Sequence, residues 1–161
     1  MLCPDFTGVM YLVAVILLLL VFPAGSVVVE AFAHGGNADL IHLIGKWFVF
    51  WGAGVRLFIA GLRQVARPRL TAEDIFALKE PAADAIVREI GFGNLAMGTL
   101  GLLTLPFASF LVPSAIVGGL YYGLAGLGHA FRKRNAEGQI AMISDFFIFA
   151  VFAVFVAWRG F

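Results

Sequence analysis

The chain is poor in cysteine and in charge. Its one cysteine, Cys3, excludes an intramolecular disulfide and any multi-cysteine metal or cluster site. A cysteine so close to a membrane boundary can carry a lipid, and the plain alternative is an unmodified terminal thiol. Charged residues are 13% of the chain, where an average soluble domain carries roughly 25%. The net charge is only +1, so no global field attracts nucleic acid or acidic substrates. Nucleotide and nucleophile motifs are missing as well. Gly91-Phe92-Gly93 begins like a dinucleotide fingerprint, but no strand pattern precedes it and the third glycine is misplaced. There is no phosphate-loop lysine motif, and Ser26, Ser109, Ser114 and Ser144 lack the setting of a nucleophile elbow.

What is present is hydrophobic. Apolar residues make up 61% of the 161, and the mean hydropathy is +0.97. A chain this short exposes much of its surface, so a large core cannot absorb that excess, and lipid is the natural solvent. The pattern predicts an all-α polytopic transmembrane bundle forming a single membrane domain over 1–161, with five spans. A crossing of ~30 Å needs ~20 apolar residues. The spans fall at about 7–30, 41–64, 89–106, 113–131 and 140–158. Pro23 and Gly25 interrupt the first, as membrane helices tolerate. Ala31-Phe32-Ala33 resembles a signal-peptide cleavage site. A retained span is favoured, because no Lys or Arg precedes a long apolar stretch. Residues 65–88 form the one extended polar loop, in which Thr71 and Asp74 predict a capped helix from about 72 to 79. Ile75, Phe76 and Leu78 would give that helix an apolar side resting on the membrane surface. From Ile90 to Phe131 there is no Asp, Glu, Lys or Arg, and Pro106 and Pro113 mark the turn between two spans.

Orientation follows from the basic residues. Arg63, Arg67, Arg69, Lys79 and Arg88 follow span 2, and Arg132, Lys133 and Arg134 follow span 4. The loops after spans 1 and 3 hold none. The positive-inside rule then puts the N-terminus in the cytoplasm and the C-terminus outside. Trp47, Trp51 and Trp158 fall towards the external interface, where such rings are favoured. If span 1 were cleaved, the other four would keep the same orientation.

Ionisable groups inside spans cost at least ~2.5–3.5 kcal/mol each on insertion scales, so each needs a reason. Arg56 and Asp145 both lie ~9–11 Å from the cytoplasmic end, which predicts an ion pair or shared network between them. Glu89, Asn94 and His129 occupy the same half. Arg63 shares a helix face with Arg56, and Tyr122 shares a stripe with His129. Together Arg56, Arg63, Glu89, Asn94, Tyr122, His129 and Asp145 suggest a polar pocket between spans 2 to 5. Two readings stay open: a ligand site, or interhelical glue that fixes register. Ala115, Gly119 and Gly123 on span 4, and Gly91, Asn94, Gly98 and Gly101 on span 3, form narrow stripes that read as packing surfaces, with a homo-oligomer contact as the lesser alternative. Phe146, Phe147, Phe149 and Phe152 read as lipid-facing or packing residues. His34, Asp39 and His42 cluster near Glu30, but their spacing fits no metal site, and no metal or catalytic residue is assigned.

Two stretches carry a resemblance, Gly45 through Gln64 and Ile86 through Gly98. Together they resemble an uncharacterised family of small bacterial integral membrane proteins over most of 40–150. More distantly, Arg56, the Ala60-Gly61 step and a following basic residue resemble the first helix of DoxX-like proteins. Here Arg63 stands where those proteins have lysine, and the chain adds an N-terminal span to their four-helix core. The resemblance implies the bacterial inner membrane and a redox-associated accessory role. The composite reading is an accessory or small-ligand-binding membrane protein, one form of it being an auxiliary subunit of a membrane redox complex. A quinone or lipid head group would be the ligand, held by Arg56 with Tyr122 and His129. Partners would be membrane lipids, a larger membrane complex or a homo-oligomer, with no nucleic acid. The alternative is a small transporter or proton-coupled carrier using the intramembrane Arg/Asp/Glu cluster, although no inverted repeat is evident. An enzyme ranks last, for want of a nucleophile, metal or cofactor motif.

Overall fold

Proline and glycine decide how the long apolar runs are built. The structure is a computed structural model and describes residues 4–35, 38–74, 76, 78–131 and 136–159. Cys3, Ile75 and the basic run 132–134 lie outside the described residues. The first rod comprises α1 (Pro4–Ile16), a π-helical segment (Leu17–Val21) and α2 (Phe22–Ala33). Pro23 lacks an N–H, and its ring crowds the carbonyl four residues back. The rod answers by widening just before it, so that the Phe22 N–H donates to the Leu17 carbonyl, five residues back.

The second rod repeats the device with α3 (Leu40–Phe48), a π-helical segment (Val49–Val55) and α4 (Arg56–Ala66). Asp39 caps its start by accepting the His42 N–H at 3.0 Å. The widened stretch holds Gly52 and Gly54 and places Arg56 at the first turn of α4. A short helix, α5 (Pro68–Asp74), follows. The sequence pattern predicts it later, at about 72–79, with Thr71 as cap. Pro68 instead starts the helix, because its fixed φ suits a first turn, and Thr71 becomes an interior residue. Phe76 packs against Ala72, Ala83 and Val87, while Leu78 is exposed.

The remaining elements are α6 (Ala83–Leu102), a single 3₁₀ turn (Ala108–Phe110), α7 (Leu111–Ala130) and α8 (Ala136–Arg159). Pro106 lies in the turn, whereas Pro113 sits in the first helical turn of α7, where no intrahelical partner awaits its missing N–H. Every rod among the described residues is helical, and no strand occurs among them. Four are long and apolar enough to cross a membrane: Gly8–Ala33, Leu40–Ala66, Ala108–Ala130 and Gly138–Arg159. The chain is therefore a polytopic membrane protein. α6 is not among the four. Asp84, Arg88 and Glu89 fill its opening turns, and glycine and Asn94 dilute the rest.

The glycine stripes are packing faces. α6 runs antiparallel to the second rod, with Gly91 against Gly61, Gly98 against Phe58 and Gly101 against Gly54. A Cβ at Gly61 would lie 2.8 Å from the Gly91 carbonyl oxygen, so the two backbones touch. On the other side of the bundle the phenylalanines of α8 fill the gaps that glycine leaves on α7. Phe152 seats at Gly118 and Gly119, Phe149 at Gly123, and Phe146 at Gly126. Leu19, Val49, Ala53, Tyr122, Ile148 and Phe152 are fully buried where both π-helical segments meet α7 and α8.

Candidate functional site

Four helices deliver polar groups to one place. Arg56 leaves the first turn of α4, just past the widened segment, and reaches α8. Its Nη2 donates to Ser144 Oγ at 3.0 Å and to Asp145 Oδ1 at 3.1 Å. Ser144 in turn donates to the Ala141 carbonyl at 2.9 Å. The second carboxylate oxygen of Asp145 faces His129 Nε2 at 4.0 Å. The His129 ring stacks on Phe76, 11° from parallel with centroids 6.2 Å apart. Asp145 thus bridges α4 to α7 from a nearly buried position on α8.

The Arg56 guanidinium lies over the Tyr122 ring, 5.0 Å from its centroid, where the negative face of the ring favours a cation. The Tyr122 hydroxyl donates to the Gly52 carbonyl at 2.6 Å. A π-helical turn displaces the backbone ladder and leaves a carbonyl to be satisfied from outside, and Tyr122 does this. Its hydroxyl hydrogen is therefore committed to the backbone, which leaves the oxygen lone pairs as its hydrogen-bonding capacity. Its ring is what faces the Arg56 guanidinium.

On α6, Asn94 Nδ2 donates to Gln64 Oε1 at 2.7 Å, a buried bond in the glycine seam. Asn94 Oδ1 and Arg56 Nη1 are buried without a hydrogen-bond partner among the described residues. Both residues line a cavity of about 450 Å³. The cavity is bounded by Tyr11 and Leu18 on the first rod, by Arg56 and Arg63 on α4, by Thr71 and Phe76, by Asn94, and by α7 and α8. Its surface is predominantly apolar, the usual character of a small-molecule site.

Six of the seven residues singled out in the sequence line this one cavity: Arg56, Arg63, Asn94, Tyr122, His129 and Asp145. Glu89 does not. It is exposed on α6, and its neighbour Ile90 lines the cavity instead. Residue 89 opens the apolar stretch, but the helix phase turns it outward. The sequence reading missed Tyr11, Gln64 and Tyr121. All three tyrosines of the chain line this cavity, and that enrichment in a phenylalanine-rich chain is the signal that could have found them.

A second polar group lies at the opposite end. Glu30 accepts from Lys46 Nζ at 2.7 and 2.8 Å and from Trp47 Nε1 at 2.6 Å, clasping α2 to α3. Trp51 Nε1 donates to Ser26 Oγ at 3.1 Å beside them. Asp39 and His42 are engaged by Arg159, at 3.3 and 3.0 Å. Among the described residues no three His, Cys, Asp or Glu side chains converge as a metal site. The chain matches no family model, no curated protein and no solved structure. The DoxX-like resemblance therefore rests on Arg56, Ala60, Gly61 and Arg63 alone.

Proposed function

We propose that the chain is a five-span inner-membrane protein of accessory type that holds a small amphipathic ligand, a quinone or a lipid head group, in the Arg56–Asp145 cavity. α6 is the remaining span. At 1.5 Å per residue its 20 residues reach ~30 Å, and its polar face is spent on the glycine seam with α4. The positive-inside distribution sets the N-terminus in the cytoplasm and the C-terminus outside. Single cysteines at Ala38 and Glu80, in a Cys3→Ser background, should then be labelled by an impermeant reagent from opposite sides of intact cells and inverted vesicles. Labelling from one side would refute that topology.

The observation that carries the ligand reading is the convergence of Arg56, Asn94, Tyr122, His129 and Asp145 on one predominantly apolar cavity of about 450 Å³. Native mass spectrometry of the protein extracted from its own membranes in mild detergent tests the reading. A retained small molecule on the wild type, lost from a folded Arg56→Leu variant, supports it. Larger co-extracted subunits with no small ligand would make the chain an accessory subunit and its polar cluster structural.

A further inference from the structure

The walls of the cavity are not equally held. The glycine seam closes α4 on α6, and the phenylalanines of α8 close that helix on α7. Between α6 and α7, Asn94 interacts with the Tyr121 hydroxyl. At the end nearer α5, Thr71 and Phe76 line the cavity, with Phe76 stacked on His129. Arg69 secures that segment by donating to Glu73 and to the Lys79 carbonyl, both at 2.6 Å. The remaining wall is α1, which supplies Tyr11, Ala14, Val15 and Leu18.

α1 belongs to the least buried of the four long apolar rods: 11% of its apolar window is buried, against 33–44% in the other three. The far half of the rod is anchored. Phe22 packs on Trp51 with ring centroids 4.9 Å apart, Ser26 accepts from Trp51, and Glu30 clasps Lys46 and Trp47. Leu19, within the π-helical segment, is buried in the core. Such widened turns, and prolines like Pro23 just beyond, are where helices bend. On the near side of that pivot α1 packs against α8. Towards α4 its tie is the Tyr11 hydroxyl, which interacts with the Arg56 guanidinium. Ala14 on α1 and Ile59 on α4 both line the cavity and are both exposed, so the slot between them opens on the lipid-facing surface.

Resting on the ligand-site reading above, we propose that α1 is a lateral flap that pivots at Leu17–Val21, is latched by Tyr11 on Arg56, and admits a single-chain amphiphile from the bilayer between α1 and α4. The occupant is then dissolved in the membrane and not in the aqueous phase. Its chain lies along Leu18, Leu57 and Ile59.

The test uses the full chain in proteoliposomes and a dodecanol analogue carrying a diazirine on its chain, with labelled residues mapped by mass spectrometry. Cysteines replacing Ala14 and Ile59, in a Cys3→Ser background, are bridged by a short bismaleimide. Bridging should lower label on the buried Leu57 about tenfold, because the open state is no longer populated. Label on the exposed Leu124 and Val154 should stay unchanged. Either cysteine alone, capped with N-ethylmaleimide, should leave Leu57 labelled as in the wild type. Tyr11→Phe should speed the appearance of label at Leu57 about tenfold, since a hydrogen bond to a charged group is lost. Cysteines that cannot be bridged, a bridge that leaves Leu57 labelled as before, or caps that suppress label as much as the bridge each overturn the flap and leave the ligand site standing. An unchanged rate in Tyr11→Phe overturns the latch. Label on Leu124 and Val154 with none at Leu57 in the unbridged protein overturns both the flap and the ligand reading.

Discussion

Replacing Gly98 by alanine puts one methyl group where the second rod already is. A Cβ there would lie 2.5 Å from the Phe58 amide nitrogen and 2.7 Å from its Cα. Carbon atoms prefer ~3.5–4.0 Å, so α6 must retreat from α4 by about 1 Å along much of the seam. No side chain can swing away to relieve the contact, because the obstacle is backbone. Overpacking of this kind costs about 1–3 kcal/mol. The matched control is Gly93→Ala on the same helix, where a Cβ meets nothing within 4 Å. There the gain in helix propensity, about 0.5–1 kcal/mol, should dominate. The two variants should therefore separate by about 1.5–4 kcal/mol in reversible unfolding titrations in mixed micelles of mild detergent and SDS. Equal stabilities would refute the close antiparallel packing of α6 on α4, and the placement of Asn94 on the cavity wall with it.

Two further changes test the polar tethers. Tyr122→Phe removes the donor to the Gly52 carbonyl and should cost about 1–2 kcal/mol, with faster hydrogen exchange confined to the Val49–Val55 segment. Unchanged exchange there would show that the π-helical turn holds itself. Glu30→Gln strips Lys46 of its counter-charge within an otherwise apolar stretch, and thermal unfolding should reveal about 1–3 kcal/mol of lost stability. A neutral result would make the clasp incidental to the packing of α2 on α3.

The hydrophobic runs made the helical class and four candidate spans legible, because length and charge depletion alone carry that signal. The Arg56–Asp145 pairing was legible for a similar reason: two costly charges at equal depth need each other. Harder to read were features that depend on phase and backbone. Glu89 lies at the right depth but turns outward, since depth says nothing about which way a helix faces. The widened turns at Leu17–Val21 and Val49–Val55 leave no clear trace beyond Pro23 and the paired glycines. Without the second of them, the link from Tyr122 to Gly52 could not be anticipated. The clasp of Glu30 on Lys46 was not anticipated, because Glu30 was read only as the last residue of the first span, whereas α2 extends to Ala33 and carries it alongside α3.

Whether the Arg56–Asp145 pair is register-setting glue or part of a site can be argued from what else fixes register. Gly54, Gly61, Gly91 and Gly101 set the second rod against α6 by backbone contact. α8 is located on the second rod by Phe155 at Gly45 and by Ile148 at Gly52, and on α7 by Phe146, Phe149 and Phe152. Apolar packing already fixes every neighbour of the pair, and a buried ion pair is weak evidence for stability. Breaking it from one side leaves a bare charge and costs about 3–5 kcal/mol, but replacing both partners with apolar residues of similar volume is often neutral or stabilising. The double variant Arg56→Met with Asp145→Leu should therefore unfold at the same SDS fraction as the wild type, or later, while either single change unfolds sooner. The same double variant should retain no small molecule in native mass spectrometry. If it instead collapses as the single variants do, the pair is structural, and the cavity loses the residue on which its ligand chemistry was built.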